Sequence, residues 1–473
     1  MAEPLWTIDE LVGATGGIVR GRPAKNFAGV SIDSRTAAQG EVFVAIKGER
    51  QDGHEYVVNA LKGGAGLAIV SRPTAEMEAA GPLLIVGEPL AALEDMGRAA
   101  RGRSQAQIIA VTGSVGKTST KELLKLGLSQ SGLTHASAAS FNNHWGVPLT
   151  LARMQRECAF GVFEIGMNHA GEITPLTKMV RPHVAIVTTV AASHLGHFTS
   201  LADIADAKSE IFLGLEPGGA ALINRDSEFH DRLAMAARKA GCERIIGFGR
   251  HEAAEIRLER VALHSECSCV TANILGETII YKLGVPGEHH ALNSLAVLGA
   301  VKLVGADLAR AALALATAAP AKGRGVRSRL TSPSGEFILI DESYNANPAS
   351  MRAALALLGH AKPGPGGRRI AVLGDMLELG EQGPRLHAEL AKAVDEARVD
   401  ALYACGPLMG NLWEKTPGSR RGVYAETSDM LKDALLHALR GGDVVMIKGS
   451  LGSRMGPIVE AAKARFPEAR RDS

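Results

Sequence analysis

The sequence predicts a three-domain α/β protein built on parallel sheets. Three observations carry this expectation. The chain has 473 residues, room for about three domains at roughly 100–200 residues each. From about residue 105, short apolar runs alternate with helical patterns, and the runs are continuous rather than alternating, as in strands buried on both faces. Glycine is abundant, at 54 residues, while aromatics make up only 4%, which favours many tight βα turns over an aromatic-rich sandwich.

The first unit, residues 1–104, has apolar runs at Val42–Ile46, Leu67–Val70 and Leu83–Val86 and a helix over Leu90–Arg101. The second, 105–328, opens with the strand Gln107–Val111, a glycine turn and a helix over Lys117–Gln130. Further strands are expected at Ala159–Ile165, Val184–Val190, Ala220–Ile223 and Ile245–Gly249. Three alternating runs in 255–285 read as antiparallel strands added to that sheet. Lys322–Arg329 (KGRGVRSR) reads as a linker. The third unit, 329–473, repeats the α/β pattern, with strands Phe337–Ile340, Ile370–Leu373, Leu402–Ala404 and Val444–Ile447.

Composition excludes several function classes. The net charge is +2, and no Lys/Arg block marks a nucleic-acid partner. The 5 cysteines are odd in number and scattered, which favours a reducing, cytoplasmic setting over a disulfide framework. No secretory leader is expected from MAEPLWTIDELVG, and no apolar stretch is long enough to span a membrane.

The chemistry concentrates at the carboxyl ends of strands, where open α/β sheets bind ligands. Gly113–Ser114–Val115–Gly116–Lys117–Thr118–Ser119 joins a buried strand to a helix. Backbone N–H groups there form a nest for phosphate, Lys117 reaches the β/γ-phosphates and Thr118 ligates Mg²⁺. The full eight-residue pattern is not met, because Val111 stands at its first glycine position. Glu164 interrupts an apolar strand, so it either binds metal or reaches solvent from the strand end. Lys208 falls on the same helical face as Ile204, Ile211 and Phe212. Either its stem packs while its head escapes to water, or it is a functional lysine. His194 follows another strand and either ligates metal or caps its loop. Asp341, Asn345 and Asn347, in DESYNANP, and Asp375, in GDMLELG, follow strands of the third unit. They reach a ligand in the cleft or cap helices.

Together these segments resemble the Mur ligase family, and within it the branch that joins D-alanyl-D-alanine to UDP-N-acetylmuramoyl-tripeptide. The resemblance runs through TGSVGKT, FNNHWGVPLTL, FEIGMNHAGEI, IADAKSEIF, HHALNSLAVLGA, KGRG, DESYNANP and GDMLELG. It implies a UDP-binding first domain, a P-loop ATPase second domain and a Rossmann-like third domain on the dipeptide side. It implies ATP and two Mg²⁺, held by Thr118, Glu164, His194 and a carbamylated Lys208, with Lys117 at the phosphates. By position, Asn293 matches the residue against adenine, Arg324 an ATP-phosphate arginine and Asp341 a residue facing ATP on closure. Asn142 and Asn143 both fit one asparagine position, and Ser34 and Arg35 fall in the UDP-substrate segment. His197 departs from the family pattern, which often has an acidic residue in that loop. The implied activity is ATP-dependent amide formation through an acyl phosphate, by a cytoplasmic monomer acting on small molecules. Other ligases of the superfamily, folylpolyglutamate synthetase among them, are the nearest alternative, and a P-loop ATPase switch is the alternative of another class.

Overall fold

The computed structural model describes residues 4–469 except 50, 139 and 194. Among these, the strands form one two-stranded pair and sheets of five, nine and six strands.

The five-stranded sheet contains β1 (Ile18–Arg20), β2 (Val30–Ser31), β3 (Val42–Val44), β4 (Leu67–Val70) and β5 (Leu83–Ile85), in the order β1-β5-β4-β3-β2. Only β1 runs antiparallel to its neighbour. Helix α1 (Pro89–Arg103) follows and clasps this unit to the next. The Arg101 guanidinium donates to the carbonyls of Val180 (2.8 Å) and Arg181 (2.9 Å). The Trp6 indole N–H donates to the Ala152 carbonyl at 2.8 Å.

The nine-stranded sheet carries the phosphate loop. Its elements are β6 (Gln107–Thr112), α2 (Lys117–Leu128), β7 (Thr134–Ala136), β8 (Phe160–Glu164), β9 (Val184–Val187), α3 (Leu201–Ser209), β10 (Ala220–Asn224), β11 (Arg244–Gly249), β12 (Ile256–Leu263), β13 (Ser268–Ile274), β14 (Glu277–Leu283) and α4 (Glu288–Leu303). The order is β14-β13-β12-β11-β10-β9-β6-β8-β7. It is parallel from β7 to β12, and the last three strands form the expected antiparallel extension. β9 ends at Val187, short of the expected Val190, because the chain there leaves the sheet to brace the phosphate loop. Thr188 donates its hydroxyl to the Val115 carbonyl at 2.6 Å, and the Ser114 amide donates to Thr189 at 2.8 Å.

The six-stranded sheet is built from β15 (Val326–Ser332), β16 (Gly335–Glu342), β17 (Arg369–Gly374), β18 (Ala401–Cys405), β19 (Arg421–Ala425) and β20 (Val444–Lys448). Its order is β15-β16-β20-β17-β18-β19, with only the first pair antiparallel. β15 corrects the linker expected over Lys322–Arg329, since the chain is already paired with β16 from Val326. Helices α5 (Pro348–His360) and α6 (Gly383–Ala388) cover the side facing the nine-stranded sheet. One apolar cluster runs across both units and includes Leu195, Phe212, Met351, Leu379 and Leu386. No helix among the described residues is long and apolar enough to cross a membrane.

Candidate active site

A cavity of about 440 Å³ lies between the nine- and six-stranded sheets, with the phosphate loop as its floor. The loop's two glycines are required by geometry. Gly113 and Gly116 have φ of +146° and +90°. A Cβ on Gly113 would collide with the Thr188 hydroxyl, and one on Gly116 would lie 2.6 Å from Asn293 Nδ2. Asn293 of α4 thus stands directly on the loop. α2 starts at Lys117 with no side chain capping its first turn. Its N-terminal amides and dipole are therefore available to an anion.

Lys117 folds back over the loop, its Nζ donating to the Gly113 carbonyl at 2.6 Å. Burial pushes its pKa down, Glu164 partly offsets this and Arg324 adds to it. Glu164 is 1% exposed. Its carboxylate accepts from the Thr118 hydroxyl at 2.9 Å and from Asn142 Nδ2 at 2.7 Å. That bond separates the two asparagines. Asn142 lines the cavity, whereas Asn143 does not and accepts from the Gly146 amide at 2.9 Å, in the turn before the next helix. The Thr118 hydroxyl and Glu164 carboxylate are adjacent hard oxygen donors. Mg²⁺ takes such a set when phosphates and water complete its shell. The residues present therefore fit the ion.

Lys208 is 2% exposed, and no hydrogen bond or ion pair to it is found among the described residues. The sequence had left open an escape of its head to water, and the burial removes that reading. Its pKa falls well below the ordinary 10.5, mainly through burial and also through Lys117. His194, expected beside it, lies outside the described residues.

The six-stranded unit supplies the opposite wall. Arg324 stacks over Tyr344, its guanidinium carbon 4.3 Å from the ring centroid, and both line the cavity. Asn345 and Asn347 line it too, and Asn347 also caps α5 in a reciprocal box with Ser350. Asp341 does not line it. Its carboxylate accepts from the Ser343 amide at 3.1 Å and hydroxyl at 2.6 Å. The next residue along β16, Glu342, points the other way into the cavity, where it meets Lys448 Nζ at 3.1 Å. Asp375 is also turned away. It accepts from the amides of Met409 (2.8 Å) and Leu408 (3.3 Å), and burial raises its pKa. Ser34 and Arg35 lie outside the cavity lining, and Arg35 pairs with Asp33 at 2.6 Å.

Sequence reasoning missed Lys448, Glu342, Tyr344 and the histidines His289 and His290. Lys448 ends the apolar strand VVMIK just as Glu164 ends its own, and that parallel would have found it. His290 keeps a buried Nδ1 without a partner among the described residues, and burial beside His289 pushes its pKa well below 6.5.

Family comparison follows this geometry segment by segment. Residues 111–301 match the Mur ligase middle domain, 327–451 the Mur ligase glutamate ligase domain, and 26–101 the Mur ligase family catalytic domain. The chain belongs to the Mur ligase family. As a Mur ligase it is an ATP-dependent, ADP-forming enzyme, and members of the family use ATP and Mg²⁺. It is 33% identical over 456 residues to the UDP-N-acetylmuramoyl-tripeptide–D-alanyl-D-alanine ligase of Escherichia coli, covering 96% of this chain and 98% of that one. A MurF crystal structure from Acinetobacter baumannii superposes with a TM-score of 0.85 at 30% identity, covering 98% and 99% of the two chains. MurF ligase from Thermotoga maritima, solved in complex with ADP, superposes with a TM-score of 0.76 at 25% identity, over 92% and 97%.

Proposed function

We propose that this Mur ligase uses ATP to join D-alanyl-D-alanine to UDP-N-acetylmuramoyl-tripeptide in the synthesis of peptidoglycan precursors. One observation carries the reading. The phosphate loop is bonded through Thr118 to the buried carboxylate of Glu164, in a chain similar along its length to ligases of that name.

A carboxylate does not acylate amines, because its leaving group would be oxide. In the proposed route, the terminal carboxylate of the tripeptide attacks the γ-phosphorus of ATP. The bond to ADP breaks, leaving an acyl phosphate. The amino nitrogen of D-alanyl-D-alanine then adds to the acyl carbon. Inorganic phosphate leaves, the nitrogen loses its proton and the amide is formed. Lys117 and Arg324 bring positive charge to the phosphoryl group, acting by position and electrostatics. Thr118 and Glu164 would hold one Mg²⁺, and Lys208 as a carbamate, with His194, a second. Bound Mg²⁺ supplies charge neutralisation to the phosphates. Lys208 suits carbamylation. Burial favours its neutral amine, which can add to CO₂ with loss of a proton, and the resulting anion can be balanced by Lys117.

Asn293 would meet the base, Asn142, Asn345 and Asn347 the cleft side of the substrates, and Ser34 and Arg35 the UDP end. Asp341 and Asp375 would act from behind the cavity, by bracing its loops. The same reading has the chain working as a cytoplasmic monomer. It is tested by mixing purified protein with ATP, the UDP-muramoyl tripeptide and D-Ala-D-Ala. Phosphate release that requires both acceptor substrates is expected, and its absence overturns the proposal.

A further inference from the structure

We infer that Lys448 is a positioning residue for the nucleotide: it fixes the Glu342 carboxylate and the Asn345 carbonyl in the cavity wall, and Glu342 is the group that faces the nucleotide. This rests on the function proposed above and deepens it, giving roles to two charged side chains that its route leaves unused.

The placement follows from the sheet. β16 and β20 are neighbouring parallel strands, and their register sets Glu342 opposite Lys448 at the carboxyl ends of both. Lys448 is 2% exposed. Its Nζ donates to Glu342 Oε2 at 3.1 Å and to the Asn345 carbonyl at 3.0 Å. Two residues further on, the Ser450 hydroxyl donates to the Ala346 carbonyl at 3.3 Å. The end of β20 thus grips the loop that carries Glu342, Tyr344 and Asn345, and all three line the cavity.

A buried ion pair is a poor source of stability. Taking both charges out of water offsets their attraction, and apolar side chains of similar volume often serve as well. What this pair supplies is a fixed acceptor. Lys448 engages one carboxylate oxygen of Glu342, and the other makes no hydrogen bond among the described residues. A carboxylate there accepts hydrogen bonds from a nucleoside and repels phosphate, so it favours a nucleotide whose phosphates lie at the loop beside Lys117. His289, from α4 of the nine-stranded unit, feels both charges. Burial pushes its pKa down, with Glu342 opposing and Lys448 adding to the shift. His289 therefore stays neutral, and the counter-charge for Glu342 falls to Lys448. Without Lys448, the buried carboxyl takes up a proton more readily and ceases to be a pure acceptor.

The test is a double-mutant cycle on wild type, Lys448→Met, Glu342→Gln and the variant carrying both, with Lys448→Arg as the conservative change. It reads KM for ATP, KM for the UDP-tripeptide, kcat, and Kd for ADP by calorimetry, with thermal unfolding to confirm folding. Lys448→Met is expected to raise KM for ATP and Kd for ADP about tenfold, as for one lost charge-assisted hydrogen bond. KM for the UDP-tripeptide should hold, and Lys448→Arg should keep part of the ATP affinity. In the Glu342→Gln background, Lys448→Met should change neither ATP nor ADP affinity by more than about twofold, because its effect passes through Glu342. A merely structural lysine would weaken both backgrounds alike. If Lys448→Met does not fold, the doubly substituted chain, which leaves no unpaired charge, is compared with Glu342→Gln and wild type. Wild-type affinity in Lys448→Met, in Glu342→Gln or in the double variant, or an equal loss in both backgrounds, overturns the positioning role while the function stands. If the wild type forms no product from ATP, the UDP-tripeptide and D-Ala-D-Ala, the function falls, and the Kd values for ADP still decide the role of Lys448.

Discussion

Lys208 concentrates the chemistry of the site in one side chain. An ammonium buried without a partner is costly, and the fold responds by depressing its pKa. The unfolded chain therefore holds a proton there that the folded chain sheds. In CO₂-free buffer this makes stability rise with pH up to the ordinary lysine value of 10.5. Lys208→Met should thus melt higher than wild type at neutral pH, with the gap closing as pH rises towards that value. Activity should move the other way. Lys208→Ala is expected to lose about a hundredfold in kcat, on the scale of one lost electrostatic group at a transferring centre, and acetate or formate should restore part of it. Full activity in the unrescued variant would refute the carbamate. This lysine was legible in the sequence because a charge on an apolar helical face breaks a strong periodicity. Glu342 was not, because the step from Asp341 to Glu342 reverses the side of the strand, and only the folded register shows which carboxylate enters the cavity.

At the scale of elements, strands with apolar inward faces were easy to read and strands with polar ones were not. β15 has Ser328, Leu330 and Ser332 facing in, with Arg329 and Thr331 between them and Arg327 before them. Two of its three inward residues are serines, so the run reads as a linker although Leu330 is fully buried. The sheet it joins is held at one end by Asp443, which is 1% exposed just before β20. Its carboxylate accepts from the Arg368 amide (3.0 Å) and guanidinium (2.7 Å) and from the Arg440 amide (3.1 Å). It ties the starts of β17 and β20 together. Asp443→Ala would remove the acceptor of these donors while the Arg368 guanidinium keeps access to water, and it should destabilise the six-stranded unit by about 1–3 kcal/mol, the cost of leaving buried donors unsatisfied. Urea unfolding of the full chain measures it, and a midpoint unchanged from wild type would show that the bond ties nothing.

Across the whole molecule, the question is what keeps the nucleotide-bearing sheet and the six-stranded sheet together, since the cavity needs walls from each. Part of the answer is a backbone contact between two turns. The Gly196 amide donates to the Glu378 carbonyl at 2.9 Å. Gly380, at φ +57°, approaches so closely that a Cβ there would lie 3.3 Å from the Gly196 Cα. Segments such as HLGHF and MLELG carry glycines whose purpose the sequence does not disclose, because it lies in a contact between distant turns. Gly380→Val adds a β-branched side chain where left-handed backbone costs roughly 1–3 kcal/mol and wedges the two turns apart. A penalty of that size shifts a docking equilibrium about tenfold. The phosphate loop belongs wholly to one unit, so nucleotide affinity should fall less than kcat. Small-angle scattering should show a larger radius of gyration, with thermal unfolding confirming that the variant stays folded. A folded Gly380→Val variant with wild-type scattering and wild-type kcat would show that the docked arrangement does not depend on this contact.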